Sequence, residues 1–169
     1  MVDCWYALHV RSQAESLVVD KLDGAGIESF YPHILKLSRD RKRSLEVKFM
    51  AGYVFSRFSL DHAEPVTVIP QVLSILGFGD QPAAVPDSEI ASVKLITRFP
   101  ELAMPCPYVH TGDRVLVTSG PLRGLEGFVA YAKSVARVIV SIGMLGRSIS
   151  AEVDAESLEM LEPATALAA

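Results

Sequence analysis

Cysteine is nearly missing from this 169-residue chain: Cys4 and Cys106 are the only two, and they stand far apart. Two isolated thiols, without histidines at ligand spacing, exclude a four-ligand zinc site, and no metal or other cofactor is expected. Reduced thiols in a cytosolic protein are the simplest reading. Positive charge is short as well. Sixteen Lys and Arg face twenty Asp and Glu, a formal net charge of −4. That balance argues against a general coat for nucleic acid and leaves room for a local basic patch. Long apolar runs are absent. The best, residues 66–78, is broken by Pro70 and Gln71 and is too short to cross a bilayer. The start, Met1-Val2-Asp3-Cys4-Trp5-Tyr6, has neither a basic segment nor an apolar signal core. A soluble, cytoplasmic protein with no membrane partner is expected. Catalytic signatures are lacking too: no phosphate-binding glycine loop follows a strand, and there is no nucleophile elbow. The close carboxylates Asp20 with Asp23 and Glu152 with Asp154 read as solvated surface, and His33, His62 and His110 have no evident partners. An enzyme is not expected.

What is present is core-forming sequence. Half of the residues are hydrophobic, enough for one large domain or two small ones. The most informative stretch is Gly112 to Gly127. Val115 and Val117 alternate with Arg114, Leu116 and Thr118, a period-two strand signal. Gly120, Gly124 and Gly127 suit a tight corner where backbone reaches φ > 0 or approaches another strand closely. Residues 128–131, 137–142 and 148–153 read as further strands, and such close spacing argues for a small barrel. Its glycines and period-two β-branched residues disfavour any helical form of the segment.

Earlier in the chain, residues 5–10 form a strand. Ser12 is placed to cap a helix over 13–23, with Glu15 completing a capping box and Leu17, Val18 and Leu22 giving an apolar face. Residues 27–37 read as one strand with Pro32 at an edge or bulge. A charged turn, 38–44, joins them to 45–49 as a hairpin with a basic tip. Residues 52–58 form another strand, and Asp87 caps a helix over 88–98. The order β-α-β-β-β-α implies an α+β sandwich with an antiparallel sheet. Pro100, Pro105 and Pro107 mark a linker. The division is therefore 1–99, a linker 100–107, a barrel 108–162 and a frayed tail 163–169.

Residues 112–127 resemble a KOW domain, the small SH3-like five-stranded barrel of NusG-type transcription factors and some ribosomal proteins. Trp5-Tyr6, Phe49-Met50-Ala51-Gly52-Tyr53-Val54-Phe55 and Val72 to Phe78 followed by Pro86 resemble the family's N-terminal NGN domain. The family's usual Phe-Pro-Gly-Tyr stands here as Phe49-Met50-Ala51-Gly52-Tyr53. With Cys106-Pro107-Tyr108, Gly120-Pro121-Leu122 and Arg147 to Asp154, the chain is most similar to the UpxY branch, specialised paralogs that act as antiterminators of long bacterial operons.

That resemblance implies an elongation or antitermination factor gripping the clamp coiled coil of RNA polymerase through Trp5, His9, Phe49, Tyr53 and Phe55. The bare-sequence alternative is that these aromatics fill the core. Arg39, Arg41, Lys42 and Arg43 put four cations at the hairpin tip, suited either to phosphates of upstream or non-template DNA or to a solvated turn. Arg11 and Lys21 match DNA-touching positions of operon-specific relatives. Leu122, Met144, Leu145 and Arg147 match the surface used for a ribosomal protein or the termination factor; otherwise Leu122 and Leu145 are barrel core. Two rivals stay open. One is the housekeeping factor; the other is a ribosome- or RNA-associated KOW protein, disfavoured by five cations against seven carboxylates in residues 108–162.

Overall fold

The computed structural model describes residues 2–38, 43–106, 112–132, 135–142 and 145–162. It divides into two compact units, Met1–His33 with Glu46–Ile90 and Ile34–Leu45 with Ala91–Ala169.

β1 (Cys4–Val10) is the middle strand of the first unit's sheet. Tyr6, Leu8 and Val10 join a core with Val18 and Leu22 of α1 (Glu15–Gly24). Each such side chain, fully buried, contributes about 1.5–3 kcal/mol. The intervening Trp5 and Ala7 are buried as well. β1 is therefore a near-continuous apolar run because both of its faces are covered. The Ser12 capping box does not form. The helix begins at Glu15, Ala14 takes the cap position without a side-chain bond, and the Glu15 carboxylate is engaged elsewhere. Leu17, expected on the apolar face, is exposed.

The single strand expected over 27–37 is two. β2 (Ser29–Phe30) and β3 (His33–Leu37) are separated by Tyr31-Pro32. Pro32 has no N–H for a ladder; its carbonyl accepts from the Phe49 N–H at 3.0 Å. β3 pairs with β4 (Ser44–Lys48), giving the expected hairpin, while β2 pairs with β5 (Tyr53–Phe58). β5 runs antiparallel to β1 from Cys4↔Phe58 to His9↔Tyr53.

Several elements here have no periodic signature in the sequence: α2 (Glu64–Thr67), β6 (Val72–Ile75), the short pair β7 (Gly77–Phe78) and β8 (Gln81–Pro82), and β9 (Ala84–Val85). β6 and β9 both pair with β1, so the sheet runs β2-β5-β1-β6 with β9 joined to β1. α3 (Asp87–Thr97) starts at Asp87 itself.

The second unit contains β10 (Met104–Cys106), β11 (Arg114–Val117), β12 (Glu126–Ala132), β13 (Val135–Ile142), β14 (Arg147–Val153) and β15 (Leu158–Glu162). They form one antiparallel sheet in the order β10-β14-β13-β12-β11-β15. Four of the strands, β11–β14, are those read from the sequence; β15 is a fifth, the number the family resemblance implies, which no sequence pattern placed. β10 is a sixth, from the stretch 100–107, and its Pro105 is tolerated because the strand lies at a sheet edge. The glycine corner takes the geometry its residues require. Gly120 and Gly124 have φ of 80° and 91°, and a Cβ on Gly127 would stand 2.5 Å from the Ile139 carbonyl oxygen of β13. The protein is thus α+β with antiparallel sheets. Residues 107–111 and the tail 163–169 lie outside the described residues.

Candidate functional site

Between β4 and β5 the chain turns through Phe49-Met50-Ala51-Gly52. Phe49 and Met50 point inward and are buried. Gly52 has φ of 85°, a conformation that strains any residue with a Cβ. Its carbonyl accepts from the Val10 N–H at 2.9 Å, and its N–H donates to Glu15 Oε1 at 2.8 Å. The other Glu15 oxygen accepts from Lys48 Nζ, also at 2.8 Å. Glu15 is only 1% exposed. Burial pushes its carboxyl upward, but the hydrogen bonds from Lys48 and the Gly52 N–H outweigh that and hold it below its ordinary value. Burial pulls the Lys48 ammonium down, and the Glu15 and Glu46 carboxylates outweigh it, so its net shift is upward.

The five aromatic positions divide. Trp5 packs edge-on against Phe30 at 5.6 Å between ring centroids, and Phe30 stacks on Phe55 at 5.4 Å. Trp5, Phe49 and Phe55 are buried, Phe55 completely. They pack within the sheet's core, and only Trp5 and Phe49 keep a small accessible area. His9 and Tyr53 lie on the same sheet face, at its end. His9 is exposed and Tyr53 half-buried. They are direct cross-strand partners with ring centroids 5.5 Å apart.

At the base of the β3–β4 hairpin, the Tyr31 hydroxyl donates to Glu46 Oε1 at 2.7 Å. Its ring stacks on His33 at 4.2 Å and lies 5.8 Å from Lys48 Nζ. Burial and the Glu46 carboxylate push the Tyr31 hydroxyl up to about 12. Leu35 and Leu37 are exposed along β3. Of the four tip cations, Arg39, Arg41 and Lys42 lie outside the described residues. Arg43 is exposed; its N–H donates to Ser38 Oγ and its carbonyl accepts from the Ser38 N–H at 2.8 Å. Arg11 and Lys21 are both exposed and meet at one residue, Gln71. The Arg11 N–H donates to its carbonyl at 2.9 Å, and Lys21 Nζ donates to its Oε1 at 3.0 Å.

In the second unit, Leu122 is buried core, Leu145 is half-buried and Arg147 is exposed; Met144 lies outside the described residues. Leu122 also lines a groove of about 420 Å³ with Leu102, Val117, Pro121, Glu152 and Asp154. Sequence reasoning missed Tyr31, Glu46 and Lys48, which carry no motif. It found Glu15 but assigned it to helix capping. The signal for its real place was the Gly52 turn, whose N–H needs an acceptor.

The protein-family model described as "Transcription termination factor nusG" matches residues 3–94. A curated relative, the "Transcription termination/antitermination protein NusG" of Rickettsia bellii (strain RML369-C), is 26% identical and the match covers 88% of this chain and 85% of the relative. A solved structure described as "Domain interaction in Thermotoga maritima NusG" is 22% identical, with 95% and 98% of the two chains covered and a TM-score of 0.49. The MjSpt4:Spt5 complex in conformation A is similar at 15% identity over 94% and 99% of the two chains, with a TM-score of 0.32.

Proposed function

The chain belongs to the NusG family of transcription termination and antitermination factors, and from that premise we propose that it binds RNA polymerase through the exposed end of the first unit's sheet and suppresses pausing or termination. The observation that carries this reading is the His9–Tyr53 pair, aromatic side chains left at the surface where Trp5 and Phe55 of the same face are buried. Tyrosine is well suited to anchor an interface: it adds large contact area with little rotamer freedom to lose.

The partner is the clamp coiled coil. The factor acts by binding, without a catalytic step: it favours the closed, elongating polymerase over the open, paused one, and so shifts an existing equilibrium. The tip cations Arg39, Arg41, Lys42 and Arg43 add contact with phosphates of upstream or non-template DNA, and Arg11 and Lys21, gathered at Gln71, add a second such contact. Leu145 and Arg147 supply the accessible part of a surface for a ribosomal protein or a termination factor. The departures from Phe-Pro-Gly-Tyr and the basic hairpin favour an operon-specific paralog working in the bacterial cytoplasm. The housekeeping form of the factor is the second reading, favoured by the breadth of the match to the Rickettsia bellii relative.

Co-purification with core polymerase tests the surface. Tyr53→Ala should weaken binding by about 2 kcal/mol or more, the scale of an interface anchor. Wild-type binding by a folded Tyr53→Ala protein would refute it. Pause assays on a generic template separate the two forms: the housekeeping factor acts on it, whereas an operon-specific paralog leaves it unchanged.

A further inference from the structure

We propose that Glu15 is the positioning residue of the His9–Tyr53 surface: its carboxylate clamps both ends of the turn from Lys48 to Gly52 and so fixes where Tyr53 stands. The inference rests on the polymerase-binding reading above. Burying a carboxylate is costly unless every oxygen finds a partner. Here the two oxygens serve two different places, Oε1 the Gly52 N–H and Oε2 Lys48 Nζ, each at 2.8 Å. Those residues bracket the turn.

Gly52 is thereby held from both sides. Its N–H is fixed by α1 through Glu15, and its carbonyl is fixed by the Val10 N–H, the residue next to His9. Tyr53 follows directly, and its ring stands 5.5 Å from His9. Rotation of the peptide between Ala51 and Gly52 would break the Glu15 bond and swing the start of β5. A hydrophobic side chain at position 15 could fill the space with equal stability, but it could not specify the orientation of that peptide.

Lys48 lies between the Glu15 and Glu46 carboxylates, at 2.8 and 3.6 Å. The Tyr31 hydroxyl donates to Glu46, and Tyr31 also senses the charges of Glu15 and Asp20. With the ammonium supplied by Lys48 and a tyrosine that stays neutral, Glu15 remains ionised below its ordinary value of 4.5. The clamp therefore stays closed at neutral pH and opens on acidification.

The test uses the full chain. In the wild type, the Gly52 amide and Tyr53 ring signals are followed by NMR from pH 7 to pH 3. They should titrate together at a pH below 4.5. Glu15→Gln keeps an oxygen for Gly52 but no charge for Lys48. It should abolish that shared titration and raise Gly52 amide exchange roughly tenfold, because the remaining hydrogen bond to Gly52 loses its charge assistance. The Leu8 amide should be unaffected, and polymerase binding should weaken toward that of Tyr53→Ala. Wild-type signals that do not titrate together overturn the proposal without any variant. So does a Glu15→Gln protein that binds polymerase as the wild type does while Tyr53→Ala is weakened. Full binding by Tyr53→Ala overturns instead the polymerase reading, and the clamp then has no binding surface to position.

Discussion

Phe55→Ala and Tyr53→Ala remove rings two residues apart on one face of β5, yet they should fail in different ways. Phe55 is fully buried and stacked on Phe30 at 5.4 Å. Truncating a buried phenylalanine costs about 3–5 kcal/mol, and the lost ring stack accounts for about 0.5–1.5 kcal/mol of interaction. Against a total stability of about 5–15 kcal/mol, that removes a large share. At roughly 4–8 °C per kcal/mol for a unit of this size, the midpoint should fall by at least about 12 °C. Tyr53 is half-buried at the sheet end, so its truncation should cost about 1 kcal/mol or less in stability and act chiefly on binding.

The assay is built into the chain. Trp5 is the only tryptophan, it is 4% exposed, and it rests edge-on against the Phe30 that Phe55 supports. Its fluorescence reports on this cluster. Urea titrations followed at Trp5 should show a much earlier transition for Phe55→Ala, with a native-state emission shifted toward longer wavelength. Tyr53→Ala should stay within about 1 kcal/mol of the wild type. A Phe55→Ala protein unfolding within about 1 kcal/mol of the wild type would refute the buried-stack reasoning.

High pH offers a second check. Tyr31 should ionise late, at about 12. Because its folded value is raised, its stabilising contribution is present below the ordinary value of 10.0 and is lost as pH climbs through the folded one; tyrosinate absorbance should lose that late phase in Tyr31→Phe. In the second unit, Leu122→Ala should cost about 2–5 kcal/mol in thermal or urea unfolding because the side chain is 2% exposed. Arg147→Ala should change stability by less than about 0.5 kcal/mol, and a large loss there would show that Arg147 is structural. Serine at Arg39, Arg41, Lys42 and Arg43 should leave polymerase binding nearly intact and flatten the salt dependence of DNA-assisted recruitment; an unchanged slope would make the tip a solvated turn.

The sheet was legible where local rules decide. β1, β5, β11 and the strands after the glycine corner follow period two or an unbroken apolar run. Gly120, Gly124 and Gly127 do what their lack of a side chain permits. Legibility stopped where distant partners decide. Alternation puts Tyr53 and Phe55 on the same face, but it does not say how far along the strand that face is covered. Phe55 lies opposite Ala7 and Phe30 in mid-sheet, whereas Tyr53 lies opposite His9 at its end. Ser12 and Glu15 have capping-box spacing, but a turn 37 residues further on takes the carboxylate. α2, β6 and β9 are too short for periodicity to register, and β6 exposes Leu73 and Ser74 between its half-buried ends.

The central place of β1 also has a consequence for how the chain is made. Its pairing with β5 joins His9 to Tyr53, and its pairing with β9 joins Trp5 to Val85. The strand synthesised first therefore waits for a partner that appears about 80 residues later. At translation rates of roughly 5–20 residues per second, that interval is about 4–16 s. α1 follows at once and can shelter Tyr6, Leu8 and Val10, and β5 can cover one edge of β1 once Tyr53–Phe58 is made, but the stretch of the other edge at Trp5 and Tyr6 stays open until β9 appears. A nascent chain stalled before Val85 should be the form most prone to aggregate and most dependent on chaperones.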